Sequence, residues 1–469
     1  MIKKFYVTTP IFYPNDLAHL GHAYTTIAAD VLARWYKLKG YDVFFLTGTD
    51  DHGKKIAQTA QKAGKTPKKF TDELVPTFKE SWKKLNIEYD RFIRTTDKDH
   101  EKTVQEILQK VYNKGDIYLG EYEGFYCTAC EAYYTEKDLI GGCCPIHKIK
   151  IEKLKEKSYF FKLSKYQSFL LSFYEKNKDF ILPKSRRNEV INRVKEGLND
   201  ISISRTNFDW GIPLPFDKSH ISWVWFDALP NYLSGIGYLE NKRQFKKFWP
   251  ANVHFIGKEI LFFHAVLWPA MLKSLNLKLP QTVFAHGWWT VNGEKMSKTT
   301  GNVVGIDKLI LIAGVDSARY FLLRSTPFGD DGDFSEKALI ERHNNELADK
   351  LGNLVSRVSA LAERHGTSKA PNKLLKKSKT KQIEKFMSNF EFDKALNEIF
   401  AFIDVCNEYV QNKKPWETKD TKVLYELVES IKEIANLLYP FIPESTEKIK
   451  KQFSEKKIKK NEPLFVKIK

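Results

Sequence analysis

The sequence predicts an α/β fold: a parallel sheet that is interrupted by an insertion and followed by an all-α bundle. Strand-like apolar runs alternate with helical patterns over the first 115 residues, and the alternation returns from Val253–Gly257 to about Thr326. Between these regions, residues 116–220 break the rhythm with cysteines, aromatic side chains and a stretch rich in Pro and Lys. Beyond Ser335 the pattern is helical almost to the end. Alternating strands and helices are typical of a parallel sheet that binds ligands at the carboxyl ends of its strands.

Each element of this fold has its own signal. Short apolar runs bounded by polar residues indicate buried strands, whereas apolar residues three or four apart indicate helices. These signals predict strands at Phe5–Thr9, Val43–Gly48, Val253–Gly257 and Val283–Val291, and helices at Thr25–Leu38, Lys54–Gly64 and Lys258–Leu275. Pro269 should kink the helix that contains it, because proline lacks a backbone N–H. The C-terminal helices should have a polar interruption at Gly366–Lys381.

Composition favours a protein with a polyanionic partner and disfavours a membrane protein. The 469 residues, 42% of them hydrophobic, suffice for two or three domains with proper cores. A net charge of +18 suits nucleic acid, whose phosphates attract Lys and Arg, although a generally Lys-rich proteome would give the same excess. No stretch reaches the roughly 18 apolar residues of a membrane helix. Residues 1–4 lead into a strand without an apolar leader, so we expect a cytoplasmic protein.

Two short motifs at strand-to-loop junctions point to nucleotide chemistry. His19-Leu20-Gly21-His22 opens a helix, and Lys295-Met296-Ser297-Lys298-Thr299 lies in the loop Asn292–Gly301. Imidazoles and backbone N–H groups at a helix N-terminus can donate to phosphate oxygens, and Gly21 leaves room for an adenine or ribose ring. Lys295 and Lys298 could neutralise the charge of a leaving pyrophosphate. Taken singly, each motif also fits a helix cap or a solvated loop.

In this order, the two motifs resemble the HIGH and KMSKS signatures of class I aminoacyl-tRNA synthetases, and nearly the whole chain is similar to bacterial-type methionyl-tRNA synthetases. Thr299 replaces the usual final Ser and keeps its hydroxyl. The resemblance implies a Rossmann-like nucleotide-binding catalytic domain in two halves, 1–115 and 221–334, separated by a connective-peptide insertion with a zinc knuckle at 116–220. Residues 335–469 would form an α-helical anticodon-binding domain. The implied ATP-binding residues are His19, Gly21, His22, Glu259, Lys295 and Lys298, and the two histidines and two lysines among them are implied to be catalytic.

The methionine pocket is predicted around a carboxylate and several aromatic side chains. Asp50 ends the second strand, where it could pair with a substrate ammonium; capping the helix near Lys54 is an alternative role, for which Asp51 is better placed. Aromatic edges attract a thioether by about 0.3–1.5 kcal/mol per contact. Leu229 stands where the family sometimes has proline, and Glu259 where it often has Asp. The resemblance implies that methionine binds to Ile11, Tyr13, Asp50, Trp225, Ala228, Leu229, Tyr232, Ile260 and His264.

A cysteine-rich segment predicts a metal site. Cys127 and Cys130 form one pair, and Cys144 and His147 form a second, each with the two-residue gap of a zinc knuckle. Cys143 competes with its neighbour, but it is one residue too far from His147, so we favour Cys144. We predict one structural Zn²⁺ on Cys127, Cys130, Cys144 and His147; a set of disulfides is the alternative.

The C-terminal third carries a pattern suited to RNA. Asn353 and Arg357 are four residues apart on one predicted helical face, and Trp416 follows Pro415. Unpaired RNA bases are recognised by aromatic stacking and by hydrogen bonds to their edges. From the residues alone, a polar surface face and a Trp buried in the bundle fit equally well. The resemblance assigns Asn353, Arg357 and Trp416 to the tRNA anticodon.

The resemblance therefore implies the activity of a methionine–tRNA ligase, which uses ATP and Mg²⁺ to make methionyl-adenylate and charges initiator and elongator tRNA(Met). A nucleotidyltransferase of the same superfamily that does not act on tRNA is one alternative, and a non-catalytic RNA-binding paralogue is another. The helical C-terminal third disfavours the first, and the intact motifs disfavour the second. The chain stops soon after the predicted bundle, without the additional oligonucleotide-fold domain that some bacterial relatives use to dimerise, so the resemblance implies a monomer. The charge of +18 also disfavours self-association at low salt.

Overall fold

The computed structural model describes residues 3–127, 132–134, 136–296, 301–455 and 457–469. The chain divides into two units. Unit 1 contains Met1–Leu17, Tyr41–Glu80 and Tyr89–Ala285, and unit 2 contains Ala18–Gly40, Ser81–Glu88 and His286–Lys469. Among the described residues, no helix combines the length and the apolar character needed to cross a membrane.

The strands fall mainly in the first 300 residues. In chain order they are β1 Lys4–Phe12, β2 Asp42–Thr49, β3 Arg91–Arg94, β4 Ile117–Cys127, β5 Ala132–Tyr134, β6 Glu152–Phe161, β7 Ile181–Leu182, β8 Ile201–Ser202, β9 Ser204–Arg205, β10 Ile221–Ser222, β11 Val253–Gly257, β12 Thr282–His286, β13 Trp289–Val291, β14 Glu294–Lys295 and β15 Gly332–Phe334.

The helices continue through the C-terminal third. The α-helices are α1 Leu20–Leu38, α2 Lys54–Lys62, α3 Pro67–Lys84, α4 Lys98–Asn113, α5 Gln167–Lys176, α6 Lys184–Lys195, α7 Val224–Ala228, α8 Asn231–Ser234, α9 Lys242–Phe248, α10 Trp268–Ser274, α11 Ile306–Ala313, α12 Val315–Arg324, α13 Glu336–Arg342, α14 Asn353–His365, α15 Thr380–Ser388, α16 Phe392–Lys413, α17 Pro415–Thr418, α18 Thr421–Leu438 and α19 Pro443–Ser454. Short 3₁₀ turns occur at Glu136–Asp138, Leu163–Tyr166, Lys258–Ile260 and Leu374–Lys377, and π-helical segments at Phe263–Leu267 and His343–Gly352.

A six-stranded sheet in the order β3-β2-β1-β11-β12-β7 forms the centre of the α/β part of the chain. The pairs β1–β2, β2–β3, β1–β11 and β12–β7 are parallel. Because parallel strands are covered on both faces, their side chains are almost continuously apolar, which is the signal that predicted them. The predicted parallel-sheet α/β fold and the following helices are confirmed.

The insertion builds its own sheet within unit 1. Strands β5, β4, β6 and β8 are neighbours in that order, and each adjacent pair is antiparallel. Phe161, at the end of β6, is fully buried in the apolar core of unit 1 and stacks on Tyr166 with ring centroids 5.7 Å apart. The inserted sheet is thereby tied to the same core as the parallel sheet.

Unit 2 anchors helix α1 through a buried ion cluster. Asp30 on α1 accepts hydrogen bonds from Arg34 at 2.8 Å and from Arg319 of α12 at 2.6 Å. Arg319 is fully buried and also donates to the carbonyl oxygens of Pro440 and Phe441. Since a buried charge is tolerated only when it is paired and hydrogen-bonded, this cluster fixes α1 against α12.

Two predicted elements are broken into shorter pieces. The predicted helix Lys258–Leu275 is a 3₁₀ turn, then a π-helical segment, then α10, whose first turn contains Pro269. The predicted strand Val283–Val291 stops after His286 and resumes at Trp289. A Cβ on Gly287 would lie 2.1 Å from the carbonyl oxygen of Asp330, so the chain crosses another backbone there.

Candidate active site

The first motif forms the N-terminus of helix α1 with an unusual cap. His19 is the N-cap residue, and its Nδ1 accepts from the backbone N–H of Gly21 at 3.1 Å. His22 reciprocates, because its Nδ1 accepts from the backbone N–H of His19 at 3.3 Å. The two rings stack with centroids 3.9 Å apart. With both Nδ1 atoms acting as acceptors, each neutral imidazole carries its proton on Nε2 and can donate it to a phosphate oxygen.

The His19 cap needs the space that a Cβ at position 21 would occupy, and so would a ligand that lies against Gly21. A Cβ there would lie 3.1 Å from Cε1 of His19 and 3.8 Å from Cε of Met296. The first distance is tighter than ordinary van der Waals contact, so a larger residue would displace the His19 ring. The contact with Met296 also places the second motif beside the first within unit 2.

The second motif follows a tight hairpin. Strands β13 and β14 pair antiparallel across Asn292 and Gly293, which both have positive φ. Asn-Gly is the preferred pair for such a two-residue turn. The Lys295 backbone ends this hairpin, whereas residues 297–300, including Lys298, and the side chain of Lys295 lie outside the described part of the structure. The roles of both lysines therefore remain predictions.

Two further contacts join the segments that flank the motifs. The backbone N–H of Leu20 donates to the carbonyl oxygen of Val304 at 2.9 Å, so the chain beyond the second motif returns to the start of α1. Thr25 lies 2.7 Å from Nε2 of His286, the residue that ends β12. Both bonds lie within unit 2, and they hold the start of α1 against residues that precede and follow the second motif.

The predicted pocket residues of unit 1 lie where three neighbouring strands end. Tyr13 follows β1, Asp50 follows β2, and Ile260 lies just after β11. The register pairs Phe12 with Thr49, so Tyr13 and Asp50 leave adjacent strands at the same level. Asp50 is buried, and its backbone N–H donates to the carbonyl oxygen of Phe12 at 2.9 Å.

His264, one of the predicted pocket residues, is held as a neutral histidine. The hydroxyl of Tyr232 lies 2.8 Å from Nε2 of His264, and Nδ1 of His264 lies 3.0 Å from the carbonyl oxygen of Ile260. A carbonyl only accepts, so Nδ1 carries the proton and Nε2 accepts from the tyrosine. Burial lowers the pKa of His264 to about 4, which keeps the imidazole uncharged at neutral pH.

Aromatic stacking fixes the remaining pocket side chains. Trp225 stacks on Phe263 with centroids 3.9 Å apart and forms a T-shaped pair with His264 at 5.9 Å. Tyr232 stacks on His254 at 4.1 Å, and burial lowers the pKa of His254 well below its usual value. Ala228 and Leu229 are buried on the segment between these rings. The π-helical segment Phe263–Leu267 presents both Phe263 and His264 to Trp225.

Glu259, the predicted ribose-binding residue, is exposed, unlike the buried aromatic side chains. It is exposed on the 3₁₀ turn after β11, and a Cβ on Gly257 would lie 2.4 Å from its carboxylate. Gly257 is therefore needed for the carboxylate to fold back over the end of β11. A carboxylate in this position can accept hydrogen bonds from ribose hydroxyls.

Comparison with known proteins identifies the family. The family model described as tRNA synthetases class I (M) matches residues 5–154 and 144–359, and the one described as anticodon-binding domain of tRNA ligase matches residues 376–467. The chain belongs to the class I (M) tRNA synthetases. The predicted family is thus confirmed.

Individual members of this synthetase family match along nearly the whole chain. The methionine–tRNA ligase of Caldanaerobacter subterraneus is 48% identical over 472 residues, which cover 96% of this chain and 74% of that protein. The methionine–tRNA ligase of Rickettsia conorii is 44% identical and is matched over 99% of this chain and 95% of its own length. Mycobacterium tuberculosis methionyl-tRNA synthetase in complex with methionyl-adenylate superposes with a TM-score of 0.92 at 40% identity, over 96% of this chain and 93% of that one.

Three of the four predicted metal ligands of this synthetase come together. Sγ of Cys127, Sγ of Cys144 and a ring nitrogen of His147 all lie within 4.8 Å of one another. Nδ1 of His147 is 4.0 Å from each sulfur. In a tetrahedral Zn²⁺ site, ligand atoms would be about 3.6 Å apart, so the spacing fits a metal. Cys130, the fourth predicted ligand, lies outside the described residues.

Cys143 takes a different position from its neighbour. It is half-buried, and its Sγ lies 3.8 Å from the carbonyl oxygen of Gly141. Cys144 is fully buried, and its Sγ accepts the backbone N–H of His147 at 3.4 Å. Cys144 thus lies in the cluster with Cys127 and His147, and its role as a metal ligand stays a prediction.

The three predicted anticodon residues lie on one face of unit 2. Asn353 is exposed at the first position of α14, and Arg357 follows one turn later. The guanidinium carbon of Arg357 lies 5.6 Å from the ring centroid of Trp416, which is 37% exposed. Arg357 also donates to Gln411 at 2.9 Å. Trp416 is thus not buried in the bundle, although its contact with RNA remains a prediction.

Sequence reasoning missed a buried cluster beside the pocket. Asp227 accepts from His52 at 2.8 Å and from His100 at 3.0 Å, and all three are almost completely buried. Phe263, the stacking partner of Trp225, was also missed. His52 follows Asp50 in the sequence and could have been noticed, but His100 stands alone in a helical pattern with nothing to mark it.

Proposed function

We propose that the protein is a methionine–tRNA ligase, which joins L-methionine to ATP to form methionyl-adenylate and then charges tRNA(Met). The observation that carries this proposal is the neutral, aromatic pocket of Trp225, Tyr232 and His264 at the strand ends of a class I (M) synthetase. A structural neighbour that shares 40% of its sequence was solved with methionyl-adenylate. The nucleotidyltransferase alternative is disfavoured, because residues 376–467 match an anticodon-binding domain of tRNA ligases.

Methionine would be recognised by one charge and an uncharged wall. The carboxylate of Asp50 accepts the substrate ammonium, and the thioether lies among Tyr13, Trp225, Tyr232 and His264. Nε2 of His264 is occupied by the Tyr232 hydroxyl, so the wall has no charge that would favour a polar side chain. Ile11, Ala228, Leu229 and Ile260 would complete the apolar lining.

Adenylate formation needs positioning and charge stabilisation rather than a protein nucleophile. A carboxylate oxygen of methionine attacks the α-phosphorus of ATP, a new P–O bond forms, and the bond to the β-phosphate breaks to release pyrophosphate. Nε2–H groups of His19 and His22 donate to phosphate oxygens, and Lys295 and Lys298 neutralise the leaving pyrophosphate. The carboxylate of Glu259 would accept hydrogen bonds from the ribose hydroxyls of ATP, and the adenine ring would lie against Gly21. Mg²⁺, when bound, would neutralise phosphate charge.

Transfer to tRNA completes the reaction. The terminal ribose hydroxyl of tRNA attacks the methionyl carbonyl, and AMP leaves. Selection of initiator and elongator tRNA(Met) would rest on Asn353, Arg357 and Trp416, since an exposed aromatic ring beside a guanidinium can stack a base and bond to its edge. These substrates would place the reaction in the cytoplasm.

The metal knuckle would have a structural role. Cys127, Cys144 and His147, together with Cys130, supply the sulfur and nitrogen donors that Zn²⁺ prefers, and four protein ligands leave no position for a catalytic water. The buried side chains of Cys127, Cys144 and Ile151 form a small apolar cluster of their own. In so small a core, a bound Zn²⁺ would contribute much of the local folding energy.

The proposal is tested by ATP–pyrophosphate exchange with each of the twenty amino acids, followed by aminoacylation of initiator and elongator tRNA(Met). Exchange should depend on methionine without tRNA, and both tRNAs should be charged. Exchange with another amino acid, or exchange without charging of any tRNA, would contradict the proposal.

A further inference from the structure

The segment that contains the predicted pocket residues Trp225 and Ala228 also contains a buried carboxylate, whose hydrogen bonds go to side chains outside the predicted pocket. Asp227 is fully buried on helix α7, between Trp225 and Ala228 in sequence. Its Oδ2 lies 2.8 Å from Nδ1 of His52, and its Oδ1 lies 3.0 Å from Nε2 of His100. Both carboxylate oxygens of Asp227 are thus bonded to histidines of unit 1.

The hydrogen-bond directions in this cluster follow from its partners. A carboxylate accepts, so Nδ1 of His52 and Nε2 of His100 are donors. The other ring nitrogen of His100 lies 2.8 Å from the hydroxyl of Ser234 on α8. Burial alone would raise the pKa of Asp227, but the two imidazoles outweigh it and lower that pKa, so the carboxylate is ionised at neutral pH.

His52 belongs to the loop that carries Asp50. The same loop is held on its other side, because Asp51 accepts from Arg94 at 2.6 Å and from Thr96 at 2.8 Å. Trp210 of the insertion donates to the carbonyl oxygen of Asp51 at 2.6 Å. Together with the bonds of Asp51, the bond from His52 to Asp227 restricts the conformation of the two residues after Asp50.

We propose that Asp227 is a positioning residue for methionine: through His52 it sets the placement of Asp50 relative to the pocket wall at Ala228 and Leu229. This inference rests on the proposed methionine–tRNA ligase activity. The carboxylate of Asp227 connects two chain segments. The ammonium of methionine would contact the segment after β2, and its side chain would contact the segment along α7. His100 and Ser234 keep the carboxylate from rotating away.

A buried carboxylate elsewhere in unit 1 provides a matched control. Asp116 is also fully buried and accepts from Lys165, Tyr166 and Ser274 at 2.5 to 2.8 Å. It lies between α4 and β4 and contacts no predicted pocket residue among the hydrogen bonds of the described side chains. Asp116→Asn removes the same charge from a comparable network without touching the Asp50 loop.

The experiment compares Asp227→Asn with Asp116→Asn in methionine-dependent ATP–pyrophosphate exchange. Because small displacements in a preorganised site can cost about a hundredfold, Asp227→Asn should raise the KM for methionine by about ten- to a hundredfold and leave the KM for ATP within about twofold. Inhibition by methioninol, which keeps the ammonium, should weaken by the same factor. Asp116→Asn should lower the melting temperature without changing the methionine KM.

His52 gives a second test that does not depend on the folding of the Asp227 variant. Asn at position 52 can place an amide N–H near the position of Nδ1, whereas Leu cannot. His52→Asn should therefore retain most of the methionine affinity, and His52→Leu should lose it.

The outcomes separate this inference from the proposed function. If the wild-type protein shows no methionine-dependent exchange, the proposed function fails. If the wild type is active but Asp227→Asn leaves the methionine KM unchanged, or the two His52 variants behave alike, only the positioning role is overturned. An equal rise in KM in Asp116→Asn would also overturn it.

Discussion

The exposed tryptophan of unit 2 offers the sharpest test of the anticodon assignment. Trp416 lies in the four-residue helix α17, is 37% exposed, and has the Arg357 guanidinium over its ring at 5.6 Å. Stacking of one base on an aromatic side chain is worth about 1–3 kcal/mol, which corresponds to about a five- to 160-fold change. We expect Trp416→Ala to lower kcat/KM for aminoacylation of tRNA(Met) by that factor.

The same variant should leave the earlier step and the fold nearly unchanged. ATP–pyrophosphate exchange uses no tRNA, so its rate should stay near that of the wild type. Substitutions at exposed positions usually alter stability by only about 0.5 kcal/mol, whereas truncating a buried Trp costs about 3–5 kcal/mol. The melting temperature should therefore fall by little.

Trp416→Phe is the matched control, because phenylalanine keeps an aromatic face without the indole N–H. It should retain most of the tRNA-dependent activity. If Trp416→Ala loses ATP–pyrophosphate exchange and aminoacylation equally, and its melting temperature falls strongly, then Trp416 stabilises the folded bundle rather than binding the anticodon. Normal aminoacylation by Trp416→Ala would refute the stacking role directly.

Four further predictions concern the phosphate site, the metal, the pocket and the assembly. Lys298→Ala should slow adenylate formation by about a hundred- to a thousandfold with methionine binding unchanged; an unchanged pre-steady-state rate would refute the role. Metal analysis should find one Zn²⁺ per chain in Cys143→Ser and none in Cys144→Ser; the reverse result would mean that Cys143 is the ligand instead of Cys144. Burial lowers the pKa of His264 to about 4, and unfolded histidine titrates near 6.5, so the unfolded state binds more protons between these values. The free energy of unfolding should thus fall as pH drops from about 6.5 towards 4, and it should fall less steeply in His264→Asn. Denaturant titrations at several pH values that give both proteins the same dependence of unfolding free energy on pH would contradict this. Light scattering should give a monomer mass near 54.6 kDa, and a constant doubled mass would contradict it.

The sequence identified the parallel sheet well because its strands are apolar runs, but it misplaced several boundaries. The sequence predicts that β1 stops at Thr9, before Pro10, whereas the strand continues to Phe12. The register shifts between Thr8 and Ile11, so the proline is accommodated in an irregularity and pairing resumes beyond it. A local signal for a strand end was overridden by pairing with β2.

Other features depend on contacts that no local pattern reports. Helical periodicity does not distinguish a π-helical segment from an α-helix, so the segment that presents His264 was predicted as ordinary helix. The bond between Asp227 and His100 joins residues far apart in the sequence. The signature motifs were found because they are contiguous, whereas this cluster exists only in the folded chain.

The chemistry of the pocket also bears on which amino acids it can reject. Among the predicted methionine-binding residues, Asp50 is the only carboxylate, and His264 is kept neutral by burial. A polar or charged side chain entering this wall would lose its hydration without a matching partner, which costs several kcal/mol. Homocysteine lacks only the terminal methyl group of methionine, a difference worth about 1–3 kcal/mol. An uncharged pocket should therefore exclude polar amino acids strongly and homocysteine weakly, and rejection of homocysteine would have to occur after activation rather than by binding alone.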